Sequence, residues 1–287
     1  MALKDMLVYV DQSNASHAHL GLAVDLARRN GSFVTALYVR GWSPAQLAHR
    51  KTAELAGRPL AEVGAIEVAV EDSLDRDALE AQSTLERLAA QHGLETEWRT
   101  VEGEPRNLLP QHARYADLCI LPAETPAQST SAGYLFSEEM LFTAGRPVLL
   151  VPQSTSLKTL GAHVAIAWNS SRSSARALSD ALPLLEHSEK ATVIAVNPND
   201  YLEAHGALPL VRLLEHLRRH GVSARSVVLA DVPSEAIAAA LQEKACAVGA
   251  DLLVAGAHGH TWLREVLLGS VTRDLLEGLV LPVMMSH

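Results

Sequence analysis

The chain lacks clustered positive charge. Its 287 residues carry 24 Lys and Arg against 33 Asp and Glu, a formal net charge of -9, with no run of cations. A nucleic-acid groove needs grouped Lys and Arg to neutralise phosphates, so no nucleic-acid partner is expected. Long apolar runs are also missing: none reaches about 18 residues, so no membrane-spanning helix is expected. The opening Met-Ala-Leu-Lys-Asp leads straight into a short strand without a charged region and long apolar stretch, and the expectation is a soluble, cytoplasmic protein. Only two cysteines occur, Cys119 on a predicted buried strand and Cys246 in a predicted helix, with no metal or redox spacing; both read as packing thiols. There is no Gly-x4-Gly-Lys-Ser/Thr, no Gly-x-Gly-x2-Gly after a first strand and no Gly-x-Ser-x-Gly elbow. These absences exclude a P-loop NTPase, a dinucleotide fingerprint and a nucleophile-elbow hydrolase, and no catalytic residue is assigned.

What the chain does have is glycine in a particular place. Gly256-Ala-His258-Gly259 follows the apolar run Leu252 to Ala255, and nine residues later comes Gly269-Ser270, leading into a helix-period stretch that closes near Leu279. Glycines at a strand-to-helix crossing let backbone approach an anion, and a helix start over Ser270, Val271 and Thr272 adds N–H groups, hydroxyls and a positive dipole end. The pattern predicts a phosphate cradle, hence a nucleotide.

The chain also repeats itself. Met6 to Ser13, a helical stretch to Gly31 and Phe33 to Val39 have a counterpart about 158 residues later in His163 to Ser171, a helix through Leu185 and Ala191 to Val196. Ala116-Asp-Leu-Cys-Ile-Leu121 matches Ala250-Asp-Leu-Leu-Val-Ala255, and Arg146-Pro-Val-Leu-Leu-Val151 matches Leu281-Pro-Val-Met-Met-Ser286. Each copy reads β-α-β-α-β-α-β-α-β with short apolar strands, which predicts an α/β fold: two tandem Rossmann-like domains, each an open five-stranded parallel sheet with helices on both faces. Strands are expected near 6–11, 33–39, 95–101, 117–121 and 147–151, then near 163–168, 191–196, 223–229, 251–255 and 282–285. The domains are read as residues 1–153 and 158–287, joined by the polar Gln153 to Lys158. Extra sequence between Trp42 and Glu71 precedes a clear helix over Leu74 to His92 and reads as helix plus loop.

On these residues the chain resembles the universal stress protein family in its tandem form. The strand ends Asp11-Gln-Ser13 and Asn169-Ser-Ser171, the Gly256-x2-Gly259-x9-Gly269-Ser270 signature and the closing Pro-hydrophobic strands carry the resemblance over nearly the whole chain. It implies an ATP-binding regulatory protein of the stress response, with Gly256, Gly259, Gly269 and Ser270 at ribose and phosphates and with Ala167, Trp168, Asn169 and Val196 around the nucleoside. His258 stands between the loop glycines, where it could touch a phosphate; His260 reads as a solvated loop residue. In single-domain relatives the closing strand serves dimerisation, so the resemblance further implies that the two copies pair inside one chain, leaving larger homo-oligomers and a regulatory protein partner open. A slow ATPase or phosphotransferase using the same cradle, with Mg²⁺, is the alternative.

Departures from the family pattern matter. Asn169 stands where a strand-end Asp is usual, and an amide offers no carboxylate to a metal. The first copy keeps Asp11, read as a cap or vestige, but has Pro122-Ala-Glu124-Thr in place of the glycine loop and Leu135-Phe136-Ser137 in place of Gly269-Ser270. Proline lacks an N–H and Glu124 would repel phosphate, so the first domain is expected not to bind ATP. His216 and His220 have a ligand-like spacing but no evident third partner, and no metal site is assigned. Arg172, Arg264 and Arg273 lie near the cradle in sequence, where they could contact phosphates, but helix-surface arginines are usually solvated and no phosphate role is assigned to them.

Overall fold

The fold was analysed in a computed structural model, described over residues 2–11, 14–40, 52, 60–123, 136–153, 157, 159–198, 210–257, 259–260 and 267–287. The first half runs β1 (Asp5–Val10), α1 (Asn14–Asn30), β2 (Phe33–Arg40), α2 (Leu60–His92), β3 (Thr96–Glu102), α3 (Pro105–Ala113), β4 (Leu118–Pro122), α4 (Phe136–Thr143) and β5 (Val148–Val151). The second runs β6 (His163–Ala167), α5 (Arg172–Leu185), β7 (Lys190–Val196), α6 (Leu210–Arg219), β8 (Ala224–Leu229), a 3₁₀ turn (Ser234–Ala236), α7 (Ile237–Ala247) and β9 (Leu252–Gly256). A two-strand ribbon of β10 (Gly259–His260) and β11 (Leu267–Leu268), then α8 (Ser270–Glu277) and β12 (Val283–Ser286), complete it.

Each half is a five-stranded parallel sheet in the order 3-2-1-4-5, but the two sheets are not separate: β5 and β12 pair, giving one ten-stranded sheet, β3-β2-β1-β4-β5-β12-β9-β6-β7-β8. The seam is antiparallel, Val283 opposite Leu150 and Met285 opposite Val148, so the carboxyl ends of the two sets of strands face opposite edges. Alternation along the buried strands sends side chains to both faces. One core gathers Val8, Leu149, Val164 and Met284 beneath α1, α2, α5 and α6. The other gathers Leu7, Leu150, Leu253 and Val283 beneath α3, α4, α7 and α8, so both cores run unbroken through the seam.

Helix α2 begins at Leu60, well before the expected Leu74. Gly64 and the β-branched Val63, Ile66, Val68 and Val70 blur the helical signal of that first part, although Val63, Ile66 and Val70 keep helical spacing. Residues 41–51 and 53–59 lie outside the described residues. The connection after β5 is no loose tether either, since Leu160 is fully buried in the first core and its carbonyl accepts from the Arg29 guanidinium of α1.

The repeated Ala-Asp pairs have a structural job. Asp117 accepts from the backbone N–H of Lys4 and Asp5 at 2.8 and 3.0 Å, and Asp251 accepts from Gly161, Ala162 and His163 at 3.0 to 3.2 Å. Each carboxylate ties the start of its strand to the start of the neighbouring first strand, and hydrogen bonds to a charged acceptor contribute about 1.5–3 kcal/mol apiece. Among the described residues, no helix is long and apolar enough to cross a membrane.

Candidate functional site

The strand order of the second half reverses between β6 and β9, which pair side by side with Val164 opposite Leu252. In such sheets a crevice opens outside the carboxyl ends at the reversal. A cleft of ≈280 Å³ lies there, lined by Ala167, Trp168, Asn169, Ser173, Ser174, Ile194, Val196, Ile237, Leu241, Ala255, Gly256, Gly269, Ser270, Val271, Thr272 and Leu275. Its two kinds of wall come from different elements. Ile194 and Val196 of β7, Ile237 and Leu241 of α7, Ala255 of β9 and Leu275 of α8 make an apolar slot. Asn169, the start of α5 and the start of α8 make a polar mouth.

Nine predicted positions, Ala167, Trp168, Asn169, Val196, Gly256, Gly269, Ser270, Val271 and Thr272, are brought together on this one lining. Gly259 pairs with Leu268 in the ribbon that precedes α8. His258 lies outside the described residues. Ser173, Ser174, Ile237 and Leu241 were not foreseen. The serines had a signal, because Ser170-Ser171-Arg172-Ser173-Ser174 after a strand is a helix-start sequence. The α7 pair is spaced i, i+4 like any buried helix face and gives no hint of which cleft it borders.

Helix α8 presents its first turn to the mouth. Its N-cap is Gly269, at φ -61° and ψ 145°, and no side chain caps it. The first acidic residue of α8 comes only after that turn, so the helix does not offset its own positive end with a carboxylate. Helix α5 starts differently: Ser171 caps it by accepting from the Ser174 N–H at 3.1 Å, and the Asn169 Oδ1 accepts from the Ser171 N–H at 3.2 Å. Between them Ser170 holds φ +59°, a left-handed conformation costly for a residue with a Cβ. Asn197 (φ +44°) and Asp231 (φ +56°), just past β7 and β8, share it; these three are the non-glycine positive-φ residues among those described. All sit on the cleft's edge of the sheet. Asn197 staples two of these turns together, donating to the Val232 carbonyl at 2.6 Å and accepting from its N–H at 3.0 Å.

Gly256 has a reason the sequence did not suggest. A Cβ there would stand 2.4 Å from the Ser173 carbonyl carbon and 2.5 Å from the Ser174 nitrogen. The glycine is therefore required by the approach of α5 to the end of β9, which brings a second helix start up to the mouth.

At the corresponding edge of the first half, two aromatic rings stand where the second half has small residues. Matching strand registers place Tyr9 where Ala167 stands, Pro122 where Gly256 stands and Phe136 where Ser270 stands. Tyr9 and Phe136 meet edge to face with ring centroids 5.9 Å apart, and the Arg106 guanidinium lies 5.5 Å from the Phe136 ring centre. Helix α4 opens with Glu138 and Glu139 in its first turn, so its positive end is already offset. Glu124 and Leu135 lie outside the described residues.

His216 and His220 meet edge to face with ring centroids 4.7 Å apart, and no cluster of three or more His, Cys, Asp or Glu among the described residues could hold a metal ion. Cys119 is fully buried, and burial pushes its thiol up to about 12, whereas Cys246, expected to be a packing thiol too, is exposed near the end of α7. His163 bonds the Thr192 hydroxyl at 2.9 Å, and desolvation leads the causes that hold its pKa below the usual histidine value.

The universal stress protein family profile matches the chain twice, over residues 2–136 and 162–287. A search of curated protein sequences gives no match. Among solved structures, the chain is similar to a universal stress protein from Archaeoglobus fulgidus, with TM-score 0.71 and 16% identity over 98% of this chain and 97% of that one. It is also similar to a protein of unknown function from Pseudomonas aeruginosa, with TM-score 0.58 and 12% identity over 99% and 92%. Those identities speak for the fold, and the double profile match decides membership: the chain belongs to the universal stress protein family and carries its domain twice.

Proposed function

We propose that the protein is a stress-response regulator that binds ATP, one molecule per chain, in the cleft of the second half. The observation that supports this most is the joining of an apolar slot to two helix starts in one cleft, one of them uncapped. A purine ring suits the slot between Val196, Ile237, Leu241 and Leu275, while backbone N–H groups and a helix dipole suit phosphates. At ≈280 Å³ the cleft matches a nucleoside, close to the lower end of ordinary ligand sites at about 300 Å³. The phosphates extend out through the mouth.

The lining favours holding over cutting. Among the described residues it has hydroxyls and amides but no ionisable side chain, hence no group able to take a proton from water near neutral pH. Asn169 already spends its Oδ1 on the Ser171 N–H, so it is a poor ligand for Mg²⁺, which would travel on the nucleotide's phosphates. Calorimetric titration of the full chain with ATP, alongside a phosphate-release assay, tests the reading. Saturable binding without turnover is expected; absence of binding, or turnover at ordinary enzyme rates, contradicts it.

A further inference from the structure

The first half differs from the second at the places that line the cleft, and it also touches the helix that forms the cleft's mouth. Helix α8 lies against α4 across the seam, in the same apolar core. Far from the cleft, α8 is held by Gln242 of α7, which donates to the Gly278 carbonyl at 2.9 Å and accepts from the Val280 N–H at 2.8 Å. Near the cleft, the Arg273 Nε lies 3.8 Å from the Glu138 Oε1 of α4 and 3.2 Å from the Glu277 Oε1 of α8 itself. Glu138 is almost fully buried, at 4% side-chain exposure. It is the third residue of α4, the place that Thr272 holds in α8. The same substitution that puts negative charge at the first half's own helix start thus also supplies a carboxylate to the second half. Arg273 in turn closes the first turn of α8, its N–H bonding the Gly269 carbonyl at 3.2 Å.

We infer that Glu138 is a positioning residue for the second half's cleft, holding Arg273 and with it the N–H groups of α8 in the geometry that receives phosphate. This rests on the ATP reading of the cleft. An ion pair across the seam, partly out of water, is less screened than one on the surface, so its loss is felt in the turn it fixes.

The test uses full-length protein, with ATP titrated by calorimetry and amide hydrogen exchange followed over residues 270–273. Glu138→Gln is expected to weaken ATP about ten-fold and to speed exchange in that turn, a coupling of the size found for residues in contact. Arg273→Met, made at a half-exposed position, is expected to do the same, and the double variant no worse than either single one. Arg273→Lys keeps the charge and retains most of the affinity. Glu139→Gln, on the same helix but paired with Arg106 at 2.9 Å, leaves both readings unchanged. Wild-type affinity and exchange in Glu138→Gln, or losses that multiply in the double variant, overturn the inference. A wild-type chain that fails to bind ATP sinks the function proposed above instead, and the exchange rates then still decide whether Glu138 braces α8.

Discussion

At the amino ends of β4 and β9 the two halves of this protein are alike; at the carboxyl ends of the same strands they are opposites. Asp117 and Asp251 each clamp the start of a neighbouring strand through backbone N–H groups. One strand length away, Pro122 answers Gly256, and α5 comes closer to β9 than α1 comes to β4. Tyr9 and Phe136 then meet edge to face where Ala167 and Ser270 line the cleft. The difference teaches that the repeat keeps what the shared sheet needs and varies what only a ligand would need. The sheet cannot do without either half, because β5 and β12 are each other's neighbours and each is fully buried.

That dependence gives the largest expected effect. Val283, at 0% exposure between Leu150 and Leu253, becomes an unpaired buried cation in Val283→Lys, and the chain is expected to lose about 4 kcal/mol of stability in denaturant titration. The same change at the sheet's rim, Val228→Lys on half-exposed β8, is expected to stay within about 0.5 kcal/mol. Equal losses would mean that the seam is not structural.

Acid separates the halves next. His19 of α1 is fully buried, whereas the matching place in α5 is Ala177. Burial lowers its pKa from 6.5 to about 4, against the opposing pull of Asp11 and the Pro152 carbonyl. The unfolded chain therefore binds the extra proton first. The stability tied to neutral His19 is intact above about pH 6.5 and drains away as pH falls toward about 4, a loss of about 3 kcal/mol. His19→Leu is expected to flatten that limb of the stability-against-pH curve; an unchanged limb would place the acid sensitivity elsewhere.

Smaller again is the glycine contrast. Gly256→Ala forces α5 back from β9 and is expected to cost about 2 kcal/mol and to weaken ATP, while Pro122→Ala, at the matching place in β4, is expected to cost under about 1 kcal/mol. Smallest of all is the metal. With no carboxylate among the described lining residues, chelating Mg²⁺ is expected to change ATP affinity by about three-fold or less. A large loss would mean that a protein carboxylate reaches the ion.

Much of this was legible in the sequence because the signals are local. Short, mostly apolar runs placed every strand of the main sheet to within about one residue, and the repeat itself implied a common topology. The glycines and the Gly-Ser pair marked the cleft for the same reason, since helix starts are written in adjacent residues. What stayed hidden depends on chain segments far apart. Tyr9 reads as one more strand aromatic until Phe136, more than a hundred residues on, is seen to meet it. Gly256 reads as a phosphate glycine until α5 is seen against it, and nothing in Phe-Ser-Glu138-Glu announces a partner on α8.

The claim at the centre is that nucleotide binding belongs to the second half alone, and stoichiometry in wild type and in Thr272→Glu measures it directly. That substitution gives α8 the carboxylate that α4 carries at the same place, so the fold is expected to tolerate it while like-charge repulsion weakens ATP by about a hundred-fold, or about 2.7 kcal/mol. The account predicts one ATP per wild-type chain and essentially none for Thr272→Glu at the same concentrations. Two ATP per wild-type chain, or one still bound with undiminished affinity by the folded variant, would contradict it.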